Sequence, residues 1–349
     1  MLFPTKRLSL PKFTDMLKIG VLGAGHLGKI HIKCIKQIDR YELVGFYDPD
    51  AATAKAVEAE MGVRCFDTLE VLIDAVEVVD IVTPTVQHFA CASKALQRRR
   101  HVFIEKPIVA TPDEAAKLVK LADEAGVKVQ VGHVERFNPA FIAAEPFIKE
   151  PKFIEAHRLA LFNPRGTDVP VVLDLMVHDL DILTTIIDSP VTSVSACGVA
   201  IVSPTPDITN ARIEFENGSV ANLTASRISL KNMRKTRIFQ KDAYITVDFL
   251  EKKSEIARIH DHETSGYPYS LTLDLADGET RQITLEKLEI QPLNAIQKEL
   301  ESFYDSIIHN TTPVVSIQDG VKVLNLAYEI LKKEEERSKK QENLPSGNK

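Results

Sequence analysis

From residue 17 to about residue 132, short apolar runs alternate with segments of helical period, and no other feature narrows the fold so far. The runs are Lys18–Leu22, Glu42–Tyr47, Val78–Val82, His101–Ile104 and Val127–Val131, with a weaker one at Val63–Phe66. Between them, segments such as Asp113–Ala125 place Ala116, Leu118, Val119 and Ala122 close to helical spacing. That helix has a readable start, with Thr111 as N-cap, Pro112 in the first helical position and Glu114 completing a capping box. Gly126 ends it. Strands separated by helices join as βαβ units, so this stretch predicts a Rossmann-type parallel sheet.

The pattern changes near Phe137. A short helix is expected over 139–149, an extended run over 153–161 and a helix over 171–187. Strand-like runs follow at 191–202, 211–215, 219–225, 236–240, 243–249, 270–275 and 282–285. Asn217-Gly218 and Asp277-Gly278 read as hairpin turns, which makes these strands antiparallel. Two helices close the pattern, over 295–308 and 319–332. The chain therefore divides into a Rossmann-type α/β domain at 16–136 and an α+β domain with a mostly antiparallel open sheet at 137–335. Residues 1–15 and 336–349 are expected to be flexible termini. At 349 residues the chain exceeds one ordinary core, as two domains require. One bare sheet face in the second domain invites a second copy, so a homodimer or homotetramer is expected.

Composition narrows the partners. A net charge of -6 supplies no global basic field for nucleic acid or an anionic membrane. No apolar run is long enough to span a bilayer. Cys34, Cys65, Cys91 and Cys197 show no C-x-x-C spacing, which argues against a zinc site or disulfide framework and suits the cytoplasm.

Three motifs carry chemistry. The first is Gly23, Gly25 and Gly28, spaced G-x-G-x-x-G with His26 and Leu27 inside, between a strand and a helix. Gly23 permits a tight turn, Gly25 lets backbone approach a pyrophosphate, and Gly28 lets the helix pack on the sheet. Asp48, 20 residues after Gly28, ends the second strand; its carboxylate suits ribose hydroxyls and repels a 2′-phosphate, which favours NAD. The second motif is Glu105-Lys106-Pro107 at the end of a strand, where ligands of open α/β sheets bind. Lys106 can stabilise an alkoxide or donate a proton there, although a lysine after a strand is also an ordinary surface residue. The third is Asp174 and His178, followed by Asp181 on the same helical face. A carboxylate one turn from an imidazole can orient a general base; the same spacing describes an intrahelical pair. A metal reading lacks a third ligand, and no metal is expected.

Taken in order, G-x-G-x-x-G, Asp48, Thr83-Pro84 with His88, Glu105-Lys106-Pro107 and D-x-x-x-H resemble the Gfo/Idh/MocA oxidoreductases, over residues 17 to about 335. The resemblance implies that Lys106, Asp174 and His178 are the catalytic trio. It places Thr83, Pro84, His88 and Glu105 along the nicotinamide half of NAD. Many members carry Gly-Gly before the Asp and Gly two residues after it; here Met176 takes that last position. Together with Gly132–Pro139, Asn210–Phe215 and Ala221–Arg227, this departure resembles the nucleotide-sugar branch. A UDP-sugar such as UDP-N-acetylglucosamine, oxidised at C3, is then the implied substrate. Arg165, just ahead of the D-x-x-x-H helix, can meet its pyrophosphate bidentately, with Arg136 and Arg227 as further cations. A dehydrogenase of a free sugar, polyol or inositol and a non-catalytic NAD-binding regulator are the other readings; retention of Lys106 and His178 speaks against the regulator.

Overall fold

The computed structural model describes residues 16–342 except 164–168, 263, 268 and 277. Two sheets organise it. The first holds five parallel strands, β1 (Leu17–Leu22), β2 (Tyr41–Tyr47), β3 (Val78–Ile81), β4 (His101–Glu105) and β5 (Val129–Gly132), in the order β2-β1-β3-β4-β5. The helices between them are α1 (His26–Ile35), α2 (Ala51–Met61), α3 (Leu69–Ala75), α4 (Thr85–Gln97) and α5 (Pro112–Ala125). Helix α5 begins at the expected Thr111–Glu114 capping box and ends at Gly126 in the left-handed region. The weak run at Val63–Phe66 contributes only an isolated bridge, Cys65 to Phe46. Because all five strands are parallel, their carboxyl ends share one edge. The chain order reverses between β1 and β3, so a crevice opens there.

A short helix, α6 (Pro139–Ala144), leads into the second sheet. Its nine strands are β6 (Phe153–Leu159), β7 (Val191–Val199), β8 (Ile208–Phe215), β9 (Val220–Ser226), β10 (Met233–Phe239), β11 (Ala243–Asp248), β12 (Lys253–His260), β13 (Tyr269–Asp274) and β14 (Thr280–Lys287). They run in the order β13-β14-β12-β11-β10-β6-β9-β8-β7, antiparallel except for β6 beside β9. Strand β12 had no clear counterpart in the pattern, because only Ile256 and Ser254 of it are buried. The Asn217-Gly218 turn joins β8 to β9, with Gly218 at φ 79°. Asp277 lies outside the described residues; Gly278 beside it has φ 84°.

Alternation of buried and open positions in β6, β8, β9 and β10 shows that helices cover one face of this sheet. That cover includes a π-helical turn at Val172–Met176 continuing into α7 (Val177–Ile186), and α9 (Ile317–Glu342). Helix α9 runs through residues assigned from composition to a flexible end: their charges alternate on a solvated helix face rather than dissolving it, and Lys339 pairs with Glu335 one turn away. Helix α8 (Ala295–Ile308) crosses back to the first sheet, where Leu300 and Phe303 join the core around Phe103. No helix among the described residues is long and apolar enough to cross a membrane.

Candidate active site

The glycine loop follows β1. Gly23 sits at φ 94°, and a Cβ there would come within 2.7 Å of the Val82 carbonyl. A Cβ on Gly28 would stand 2.1 Å from the Gly23 carbonyl, so α1 packs directly on the loop. At Gly25 a Cβ would meet nothing within 4 Å: the space in front of the loop is open, and no side chain caps α1. His26 and Leu27 lie exposed at the start of that helix. A cradle of uncapped N–H groups facing open space fits the pyrophosphate of a dinucleotide. Asp48 follows β2 and ties it to the loop, accepting from the N–H of Ala24 at 2.8 Å and of Asp50 at 2.9 Å. A carboxylate offers about four acceptor positions, so acceptors remain for ribose hydroxyls.

Further along the edge stand Thr83 after β3, Lys106 after β4 and His133 after β5. The ammonium of Lys106 donates to the Asp174 carbonyl at 2.9 Å, which joins the first domain to the π-helical turn. Burial lowers the Lys106 pKa, against the pull of Asp174 and Glu105; Arg158 and Arg234 lower it further. His178 sits on the first turn of α7. Burial, with Lys106, Arg158 and other cations around it, holds its imidazolium well below the ordinary histidine range, so the ring is a neutral proton acceptor. Its Nδ1 is shut off without a partner.

Several expected site residues stand differently. Asp174, inside a π-helical turn, and His178, just after it, share no hydrogen bond, and the Nδ1 of His178 has no partner. Asp174 meets Lys106 through its backbone carbonyl, and its charge acts on the same ammonium. His88 is 1% exposed, its ring nitrogens 2.9 Å from the carbonyls of Thr83 and Pro107. It fastens two edge loops together. Pro84 is exposed and Thr83 half-buried beside it. Arg136 is held by partners within the fold. Its Nε lies 3.0 Å from both oxygens of Asp181, its Nη2 2.7 Å from one of them, and its Nη1 donates to the Val314 carbonyl. Asp181 is thereby a structural partner. Arg227 is buried and donates to the Val169 carbonyl, which braces the chain entering the π-helical turn. Arg165 lies outside the described residues.

Glu105 faces inward. His31 lies buried between Asp80, 2.9 Å from its Nδ1, and Glu105, 3.3 Å from its Nε2, and Glu299 from α8 closes the group. The donor atoms of His31, Glu105 and Glu299 all lie within 4.8 Å of one another. Although burial opposes it, Asp80 and Glu105 hold the His31 pKa well above its ordinary value. Glu105 backs Lys106 from below, accepting from its N–H at 3.1 Å. His133 and Arg234 were not singled out from the sequence. His133 could have been found as the residue ending a parallel strand at the ligand edge. Arg234 gives no sequence signal, being one arginine among several on a strand.

Residues 17–133 match the family described as an oxidoreductase family with an NAD-binding Rossmann fold, and residues 160–246 match the GFO/IDH/MocA C-terminal domain. The chain is 35% identical over 310 residues to a UDP-N-acetylglucosamine 3-dehydrogenase of Acidithiobacillus ferrooxidans, covering 88% of this chain and 97% of that protein. A solved structure of the enzyme with that name from the same organism superposes with a TM-score of 0.82, covering 91% of this chain and 97% of that one at 34% identity. A scyllo-inositol 2-dehydrogenase (NAD(+)) of Bacillus subtilis is 30% identical over 232 residues, 61% of this chain and 68% of that protein.

Proposed function

The chain belongs to the Gfo/Idh/MocA oxidoreductase family and is an NAD-dependent enzyme acting on CH–OH groups, and from that premise we propose that it oxidises one ring hydroxyl of a nucleotide sugar to a ketone, with UDP-N-acetylglucosamine oxidised at C3 as the assigned substrate. The observation that carries the chemistry is a neutral imidazole, His178, beside an ammonium, Lys106, at the carboxyl edge that also bears the glycine cradle. The substrate assignment rests on similarity running nearly the whole length of the Acidithiobacillus enzyme.

When bound, NAD supplies the hydride acceptor. The loop from Gly23 to Gly28 and Asp48 hold its adenosine and pyrophosphate half, and Thr83, Pro84 and the Glu105–Lys106 segment border its nicotinamide half. His178 takes the hydroxyl proton, since a buried neutral imidazole is the acceptor the site offers. Lys106 hydrogen-bonds the same oxygen and stabilises the charge that develops as the proton leaves. The Asp174 carbonyl fixes that ammonium, and Glu105 supports it from the core.

Residues 16–136 form the cofactor domain and residues 137–335 the substrate and assembly domain. The uncovered face of the nine-stranded sheet carries Phe153, Phe239 and Tyr244, whose rings stack or tilt at 4.6 to 5.6 Å. A second copy packs there to make a homodimer or homotetramer, checked by light-scattering mass. With four free cysteines, the enzyme works in the cytoplasm.

The test is NADH formation from UDP-N-acetylglucosamine with a ketone trap, because alcohol oxidation by NAD is otherwise uphill near neutral pH. Turnover of UDP-N-acetylglucosamine, with free N-acetylglucosamine nearly inert, is the expected result. Turnover of a free polyol or sugar with every UDP-sugar inert would sink the assignment and leave the family membership standing.

A further inference from the structure

The helix-covered face of the second sheet carries two arginines side by side. In the antiparallel pairing of β10 with β6, Arg234 stands directly opposite Arg158. Arg158 shares its face with the buried Ile154 and Ala156, and Arg234 shares its face with the buried Thr236 and Ile238. Both side chains therefore project toward the layer that carries α7 and His178. Like charges directly opposite one another on a sheet face repel.

The two are treated differently. Arg158 is buried and neutralised, donating from Nε and Nη2 to Asp179 at 2.8 and 3.0 Å and from Nη1 to Glu135 at 2.9 Å. Arg136 is taken by Asp181, and the Lys106 ammonium by the Asp174 carbonyl. Arg234 is exposed, and its side chain makes no ion pair or hydrogen bond among the described residues. Its charge is felt at Lys106, His178 and Asp179, so it stands within electrostatic reach of the reacting groups. Among the described residues, Arg234 thus stays an unpaired cation on this face, next to the paired Arg158. A guanidinium presents paired N–H donors that match two phosphoryl oxygens at once, which an ammonium does not.

We propose that Arg234 is the anion-binding residue of the substrate subsite, taking a phosphoryl group of the sugar substrate while the sugar ring reaches Lys106 and His178. The assignment rests on the phosphorylated-substrate reading above. A nucleoside diphosphate sugar and a simple sugar phosphate share this chemistry, so the experiment carries both.

The NAD-loaded protein and its Arg234→Gln and Arg234→Lys variants are titrated calorimetrically with UDP, UDP-N-acetylglucosamine and glucose 6-phosphate, with NAD affinity and melting temperature as controls. For the wild type, UDP and the UDP-sugar are expected to bind. Arg234→Gln should weaken both by at least roughly tenfold and raise KM more than it lowers kcat. Arg234→Lys should recover only part of the loss, and NAD affinity should change by less than about twofold. Melting should change little, because Arg234 is exposed and its side chain makes no ion pair or hydrogen bond among the described residues. UDP-sugar binding unchanged in Arg234→Gln overturns the assignment of Arg234 and spares the nucleotide-sugar function. Binding of only the sugar phosphate, lost in Arg234→Gln, supports Arg234 and overturns the nucleotide. Failure of the wild type to bind any of the three overturns both.

Discussion

The proposed base, His178, owes its neutral form to its surroundings rather than to a partner. Desolvation and the nearby cations Lys106 and Arg158 remove the reason for the ring to hold a proton. Its pKa is lowered, so the neutral, accepting form persists as the pH falls through the ordinary histidine range near 6.5. The acid limb of kcat/KM against pH should therefore lie below the ordinary histidine range. An acid limb centred at or above about 6.5 would show that His178 is not the base. His178→Ala and Lys106→Ala should each reduce kcat by at least roughly a hundredfold with NAD affinity nearly intact. Asp174→Asn, by contrast, should cost less than tenfold, because the backbone hydrogen bond to Lys106 survives the change and only the pull of the carboxylate charge is lost. Near-native turnover in either of the first two variants would remove that residue from the mechanism.

At the scale of elements, the site depends on how α7 is seated. Arg158 on β6 bonds Asp179 on α7 with two nitrogens and Glu135 with a third, and all three side chains are buried. Removing one partner of such a group leaves the others charged and unpaired, at a cost of about 3–5 kcal/mol. Arg158→Ala should lose that much stability near pH 7, measured by urea unfolding. The loss should shrink toward pH 4, where the two orphaned carboxylates can take up protons. A loss below about 1 kcal/mol, or one that does not change with pH, would show that the triad does not anchor the helix. The π-helical turn just ahead of α7 is the second determinant. Its Asp174 carbonyl accepts from the Lys106 ammonium, a backbone contact that residue spacing in the sequence does not reveal.

Across the whole molecule, α8 inserts a carboxyl from residue 299 into the core of the first domain, about 170 residues away from Gln130, whose amide nitrogen donates to the Glu299 backbone at 2.7 Å. Neither carboxyl oxygen of Glu299 has a partner. Burial, reinforced by the charge of Glu105, holds its pKa well above the ordinary glutamate value. The folded state thus keeps a proton that the unfolded chain releases near pH 4.3. Stability from this site is full below that value and is lost as pH rises toward the raised folded pKa. Glu299→Gln keeps the shape and the neutral form. Its melting temperature should match the wild type near pH 4 and exceed it increasingly from about pH 5 upward, measured calorimetrically across pH 4–9. Parallel melting curves, or a variant less stable at pH 8, would mean that Glu299 is ionised in the fold.

Local chemistry was enough for the parts that act within a few residues. The α5 capping box, the Gly126 stop, the Asn217-Gly218 turn and the three glycines after β1 follow from dihedral preference, capping and steric contact over short spans. The alternation of strand and helix to residue 132 determined the parallel sheet, and with it the edge on which Asp48, Thr83 and Lys106 gather. What only the tertiary structure decided was which charges cancel. Arg136, Arg158 and Arg234 look alike as residues. One is spent on Asp181, one on Asp179 and Glu135, and one stays exposed and unpaired among the described residues, because strand register and helix docking across distances of 21 to 45 residues choose the partners. His88 was drawn into the same misreading: a histidine near a ligand edge looks functional until the carbonyls of Thr83 and Pro107 close on both its nitrogens. Pairing of this kind depends on geometry between distant segments, and a one-dimensional pattern holds no measure of it.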